Sequence, residues 1–294
     1  MDVTSTQVTG LRSATGESVL REHRRWQVGS LVRWAGITLV LLFFLTPILY
    51  LVATSLKRAD EVFAGRFWPA SPFWQNWPDA FNTIDLTLLV RNSVLVSGMS
   101  ALLTLSIAVP ASYAMVRYGT GGKPLYSIVL GSYIAPPVVA LLPMFYLLKR
   151  IDGIDTHWGL ALVHGLASVP IAIWLLDSFV RSIPVDMEEA AQIDGAGQIE
   201  TLVRIVLPLM SPGIAATAII CLILSYNELL FALVMTYQPA TQTLPVGIAL
   251  FQGDRLVNYG QMAAASLFGV LPIYVLALVF QRFLLGDRTQ GALK

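Results

Sequence analysis

One cysteine, Cys221, occurs in the 294 residues, and it sits inside an apolar run. A disulfide within the chain is thereby excluded, and the thiol reads as a small buried hydrophobe. Charge is scarce too. Asp, Glu, Lys and Arg make up 13% of the residues, against about a quarter in soluble domains. The net charge of +1 points to no acidic partner, and no basic patch suits nucleic acid. The three histidines, His23, His157 and His164, are scattered, with no pair at metal-ligand spacing. A Ser/His/Asp set, a His-Glu-x-x-His helix and a pair of carboxylates on a membrane face are all missing, which argues against an integral membrane enzyme. The phosphate-binding pattern Gly-x4-Gly-Lys-[Ser/Thr] is also missing: the stretch Gly119 to Lys123 is too short and runs into Pro124. No cofactor of its own is expected, and any ATP must be handled elsewhere.

Apolar residues are what the chain has in excess, at 55%. Six stretches reach the roughly 20 residues that a helix needs to cross a bilayer: about 34–54, 92–116, 125–148, 158–180, 213–235 and 262–284. The expected fold is all-α and polytopic. Pro110, Pro136, Pro137, Pro143, Pro170 and Pro272 lie within these stretches and should kink them where neighbours or a wet cavity take up the freed carbonyls. The first stretch is too long for the apolar core of a signal peptide, and no small-x-small site follows it cleanly before Lys57, so a retained helix is expected. Orientation follows from the basic residues. With the N-terminus inside, 12 of them are cytoplasmic (Arg12, Arg21, Arg24, Arg25, Arg33, Arg117, Lys123, Arg181, Arg204, Arg282, Arg288 and Lys294). Seven are outside (Lys57, Arg58, Arg66, Arg91, Lys149, Arg150 and Arg255). Both termini are therefore expected in the cytoplasm. The chain divides into an N-terminal segment, 1–33, a membrane domain, 34–284, and a tail, 285–294.

The loops differ in character. The first outer loop, 55–91, is rich in aromatics and proline (Phe63, Phe67, Trp68, Pro69, Trp74, Trp77). These suit the membrane interface and equally a landing surface for an external partner. The last outer loop, 236–261, carries the polar run Tyr237-Gln238-Pro239-Ala240-Thr241-Gln242. Asn227 and Glu228 fall mid-way along the fifth stretch. An acid there is costly unless it faces a cavity or a partner, so the pair reads as lining the pathway or as an inter-subunit contact. Asp177 reads as a helix-end or inter-helix contact.

The inner loop, 181–212, has a readable grammar. Pro184 with Asp186, Glu188 and Glu189 starts a short helix with acids at the positive end of its dipole. Asp194-Gly195 marks a turn, extended by Gly197. Ile199, Leu202, Val203, Val206 and Leu207 then recur at helical spacing, and Pro208 and Pro212 are expected to end this second helix before the fifth span.

Within this loop Glu189-Ala190-Ala191, three residues, Gly195, nine residues, Ile205, one residue and Leu207-Pro208 fix seven positions across twenty. The pattern resembles the permease signature of ATP-binding-cassette importers. Short matches at Leu56-Lys57, Arg91-Asn92-Ser93, Tyr226-Asn227-Glu228, Thr243-Leu244-Pro245-Val246-Gly247 and Gln290-Gly291-Ala292-Leu293-Lys294 are similar to the carbohydrate-uptake branch, and within it to the maltose-permease G-type subunit. Two features depart from that branch: the loop Arg117 to Lys123 lacks its Phe-x-Gly pattern, and Tyr226 stands where Trp is common. The resemblance implies a type I importer permease with six spans, in a bacterial inner membrane. It implies an ATPase-coupling set of Glu188, Glu189, Ala190, Ala191, Asp194, Gly195, Ile205, Leu207 and Pro208. Tyr133, Tyr226, Asn227 and Glu228 become the substrate-pathway set, and Tyr237, Gln238 and Pro239 the contact with a solute-binding protein. Implied partners are a second, different permease subunit, two ATPase subunits that bind ATP and Mg, the external binding protein, membrane lipid and a carbohydrate. Another solute, such as a polyol or a glycerol phosphate, stays open as cargo. A secondary transporter is disfavoured, because one mid-span acid and no internal repeat fall short of its usual plan.

Overall fold

The computed structural model describes residues 33–251 and 258–284. The expectations for the N-terminal segment, Arg255 and the tail with its Gln290–Lys294 match lie outside them. Among the described residues the chain is helical, with no strand. The helices are α1 (Arg33–Ser55), α2 (Asn76–Thr83), α3 (Leu86–Arg117), α4 (Gly122–Ile134), α5 (Pro137–Arg150), α6 (His157–Ser182), α7 (Val185–Ile193), α8 (Gln198–Thr201), α9 (Leu207–Tyr226), α10 (Leu230–Met235), α11 (Leu244–Ala249) and α12 (Tyr259–Leu284). Five helical runs are long and apolar enough to span a membrane, and α4 with α5 makes the sixth.

That sixth span is bent by 96°. Ala135 and Pro136 each precede a proline and are forced extended, with ψ of 135° and 128°. The pair still crosses the bundle. At one end Thr120 is hydrogen-bonded back to the last turns of α3, and at the other Asp155 bonds Met235, beyond the far end of α9. Six crossings put the start of α1 and the 183–206 segment on one side, called here the lower face. The segments 56–85, 151–156 and 227–251 lie on the upper face.

α3 is the central element. Its 32 residues extend about 48 Å, and its buried stripe is Ser93, Ser97, Ser100, Ala101, Thr104, Ala108 and Ser112. Small residues at this spacing let helices approach closely in lipid, where packing and hydrogen bonds replace the hydrophobic effect. α6 answers with Gly165: a Cβ there would stand 3.2 Å from the Ser100 carbonyl, and Thr104 Oγ1 donates to the Gly165 carbonyl at 2.9 Å. Three apolar cores gather around this axis. A lower one joins Val109, Leu176, Val206 and Met210. Of the two upper ones, the first joins Val96, Leu160 and Phe231, and the second Leu86, Tyr226 and Ala264.

α1 stands apart. None of its most apolar window is buried, and it is tied at its upper end, where Asn76 Nδ2 donates to the Ser55 and Lys57 carbonyls at 3.0 and 2.8 Å. Lys57 is itself buried, donating to the Arg66 carbonyl at 2.6 Å beneath the Tyr50 ring.

Two expectations need correction. The second helix of the inner loop does not end at Pro208 or Pro212: α8, a π-helical turn (Leu202–Val206) and α9 form one run from Gln198 to Tyr226. The π turn resets the hydrogen-bond ladder just before Leu207-Pro208, so the missing proline donor falls where the ladder is already offset. The loop proper is therefore about 183–197, shorter than 181–212. The fifth span also stops at Tyr226 rather than reaching 235. Asn227 folds its amide onto the Ile223 carbonyl at 2.8 Å, and α10 starts afresh after Glu228.

Candidate functional site

The lower face carries the 183–206 knob. α7 begins after Pro184, with Asp186 and Glu188 in its first turn. It closes in a Schellman motif, with Ala196 N–H on the Ala191 carbonyl at 2.9 Å and Gly195 N–H on that of Gln192 at 3.0 Å. Gly195 has φ of +93°, a region that glycine enters without strain. Gly197 is extended and leads straight into the α8–α9 run. The result is a short helix, a pinned turn and a long helix, with little slack between them.

The signature residues divide by position. Glu189, Ala190, Asp194 and Gly195 are exposed on the knob and Ala191 is half-buried, while Ile205, Leu207 and Pro208 sit in the helical wall behind it, with Leu207 packed on the lower core. Exposed beside the acids are Met187, Ile193, Ile199 and Val203; Ile193 is 86% exposed and Ile199 79%. Large aliphatic side chains clustered on an acidic, rigid knob mark a contact surface. Glu188 differs from its neighbour. It is buried and turned inward, accepting from Arg117 Nε at 2.7 Å and from the Tyr113 hydroxyl at 2.8 Å. It belongs to the root of the knob and not to its exposed face, because consecutive helix positions point about 100° apart.

On the upper face the segment Tyr237–Thr241 forms a small exposed turn with a fixed base. The Asp155 carboxylate accepts from the backbone of Tyr237 at 2.9 Å and Gln238 at 3.2 Å, and from the Thr241 hydroxyl. Burial by itself would raise the pKa of this carboxyl, but those hydrogen bonds outweigh it and hold it below the ordinary aspartate value. Asp155 also has φ of 58°, which Asp tolerates better than most residues. From the other side Asn92 donates to the carbonyls of Ala240 and Gln242, each at 2.9 Å, and Ser93 Oγ accepts from Leu244 N–H at 2.8 Å. Tyr237, Gln238 and Pro239 are thus exposed at the tip of a braced turn.

The expected pathway residues are not brought together. Tyr133 is exposed on α4. Tyr226 is buried and its hydroxyl donates to the Gly269 carbonyl of α12 at 2.8 Å, so it braces two spans. Asn227 is exposed with its amide turned to its own helix. Glu228 caps α10 by accepting from the Phe231 and Ala232 amides. It also lies 3.0 Å from His164 Nε2, a close approach that is not aligned as a hydrogen bond. His164 Nδ1 is 2.9 Å from Ser225 Oγ. Asn227 and Glu228 therefore sit at the broken upper end of the fifth span, not at its middle. Asp177 pairs with Arg181 one turn on, at 2.8 Å, as a helix-end contact.

Sequence reading missed Arg117, Asp155, Asn92 and His164 as organising groups. Arg117 counted only toward orientation. The legible hint of a buried polar contact was Glu228, whose neighbour proves to be His164.

Comparison with known proteins agrees with this geometry. Residues 102–285 match the family described as binding-protein-dependent transport system inner membrane component. The chain is 32% identical to the sulfoquinovosyl glycerol transport system permease protein SmoH of Agrobacterium fabrum, over 90% of this chain and 94% of that protein. It is 31% identical to the trehalose/maltose transport system permease protein MalG of Thermococcus litoralis, over 88% and 95%. Its fold superposes with a TM-score of 0.68 and 20% identity on a chain of a bacterial transporter that imports the acidic polysaccharide alginate, covering 87% of this chain and 96% of that one. With most of the membrane-spanning bundle matched and the relatives covered nearly end to end, the chain belongs to the family of binding-protein-dependent transport system inner membrane components, the permease subunits of ABC importers.

Proposed function

We propose that this permease forms one half of the translocation path for a sugar or sugar glycoside in a bacterial inner membrane, with the 183–206 knob as its seat on an ATPase subunit. The observation that carries the reading is the knob itself. Its exposed Glu189-Ala190 face, pinned turn at Gly195 and bare Ile193 and Ile199 are joined without a hinge loop to the fifth span. Such a piece can receive force and pass it on. The small Ala190 and Ala191 leave room for close approach of a partner helix, and Glu189 offers a charge to a basic group. The lower face is the cytoplasmic one by the balance of basic residues. ATP and Mg belong to the partner ATPases, since this chain has no phosphate loop.

The cargo class rests on the relatives described above, a sulfoquinovosyl glycerol permease and a trehalose/maltose permease. The rest of the complex is a second permease subunit that completes the path and an external binding protein received at the upper face. The exposed turn Tyr237-Gln238-Pro239 is the part of this chain that meets that protein. Purification from membranes with the genetically neighbouring subunits, followed by ATP hydrolysis assays with the binding protein and a panel of sugars, tests the reading. Stimulation by one loaded binding protein is expected. A complex that assembles without an ATPase subunit, or hydrolysis indifferent to every sugar and glycoside offered, would overturn it.

A further inference from the structure

Arg117, the last residue of α3, joins its own helix to two others at once. Its Nε donates to Glu188 Oε1 of α7 at 2.7 Å. Its terminal nitrogen donates to the carbonyls of Val180 and Ile183 at 2.9 and 2.6 Å, the free end of α6. Tyr113, one turn back on α3, donates its hydroxyl to the second oxygen of Glu188 at 2.8 Å, and Tyr118 closes the cluster edge-on to the Tyr113 ring. The pair is shielded, with side-chain exposures of 12% for Arg117 and 5% for Glu188. Every oxygen of Glu188 is engaged. The guanidinium fork spans three acceptors on two helices, which a lysine ammonium on a flexible stem does not reproduce.

We propose that Arg117 is a positioning residue for coupling: it locks the root of the knob to the lower ends of α3 and α6, so that movement of the knob is imposed on both spans directly. This rests on the reading of the knob as the ATPase seat. Without the lock, α7 joins the bundle through the short Ile183-Pro184 link and through its packing on α8 and the π turn. The knob could then follow the ATPase while α3 and α6 lag behind. Removing one member of a shielded ion pair strands the other, so each single change should release the lock. Because the two act as one unit, their effects should not add.

The test uses the whole importer, with its ATPases and binding protein, in proteoliposomes. Arg117→Gln, Glu188→Gln and the double variant are compared for ATPase subunit retained, ATP hydrolysed and substrate transported. Glu188→Gln keeps the volume of the side chain and an acceptor for Tyr113, so it carries the test where Arg117→Gln fails to accumulate. The expected result is full retention of the ATPase with substrate transported per ATP lowered by about tenfold in either single variant. The double variant should be no worse than the worse single, and Arg117→Lys should restore only part. Transport and hydrolysis falling in proportion would show a merely structural contact and overturn the proposal, as would an unchanged ratio in both single variants. Failure of the underlying reading would look different, because the unmodified complex would then hold no ATPase or show no coupling to lose.

Discussion

Gly195→Asp should abolish transport without removing the protein from the membrane. The magnitude follows from the turn. A Cβ at Gly195 meets nothing within 4 Å in this chain, so no clash forces the fold apart. What remains is the backbone cost of holding an L-residue at φ of +93°, about 1–2 kcal/mol. That shifts the local equilibrium of the turn by roughly 5- to 30-fold. The bundle does not depend on it, because the apolar cores lie in the spans and the turn is exposed. Gly195→Ala isolates this backbone term, and its transport should fall by no more than that range. Gly195→Asp adds a carboxylate beside Asp194 on the exposed side of the knob, the side proposed above to seat the ATPase. Its transport should fall below detection. Uptake of the cognate sugar into vesicles, normalised to the permease present by immunoblot, reads both. If Gly195→Asp transported at the unmodified rate with normal abundance, nothing would pack against this turn, and the seat would lie elsewhere.

Asp155→Ala should loosen the Tyr237–Thr241 turn, through loss of three hydrogen bonds to a carboxylate and of a residue suited to positive φ, on the order of 2–4 kcal/mol of local order. Asp155→Asn, which keeps an acceptor, should retain most of it; hydrogen exchange of the Tyr237 and Gln238 amides and delivery of substrate by the binding protein report the difference. The pH dependence has a definite sign. Because hydrogen bonding lowers the folded pKa of Asp155, its contribution is complete above the ordinary aspartate value, so it is flat around neutrality. It is lost only as pH falls through the lowered folded value, and amide protection that weakened toward alkaline pH would contradict this. Gly165→Val should separate α3 from α6, since even its Cβ would stand 2.8 Å from Leu103 Cδ2 and 3.2 Å from the Ser100 carbonyl. A loss of about 2–4 kcal/mol is expected, visible as a lower unfolding temperature in detergent, and an unchanged temperature would refute the close packing.

The spans were legible because apolar runs of this length have few other uses. Their ends were less so. Leu229 to Met235 is as apolar as the helix before it, and hydropathy carries on through the break. What stops the helix is two side chains acting locally: Asn227 bonding back to Ile223 and Glu228 capping the amides of α10. Pro208 misled in the opposite sense, because the π turn that accommodates it leaves no trace in composition. The signature loop was readable in outline, turn included. The inward aim of Glu188 was not, since its partner Arg117 lies 71 residues earlier in the chain and the choice between two adjacent glutamates depends on that contact.

The fifth span links the two ends of the machine. From Gln198 to Tyr226 it runs 29 residues, about 43 Å, from the knob to the upper face. There Ser225 meets His164 of α6 and Tyr226 holds Gly269 of α12. At the lower end Arg117 holds α3, α6 and α7 together. Buried polar contacts thus fasten the upper end of this span and the root of the knob beside its lower end, and the Thr104 bond to the Gly165 carbonyl adds another within the bundle. These contacts have consequences for motion. Apolar surfaces slide past one another at small cost per step, whereas a buried hydrogen bond is directional and, once broken, leaves its groups unsatisfied. A bundle held this way moves between discrete arrangements rather than drifting through a continuum. Bending, where it is needed, has two sites prepared along the rod, the π turn at Leu202–Val206 and Pro212. The part of any force at the knob that enters the fifth span is therefore either passed to the upper face or absorbed at those two points, and stiffening the π turn should move the balance toward the first.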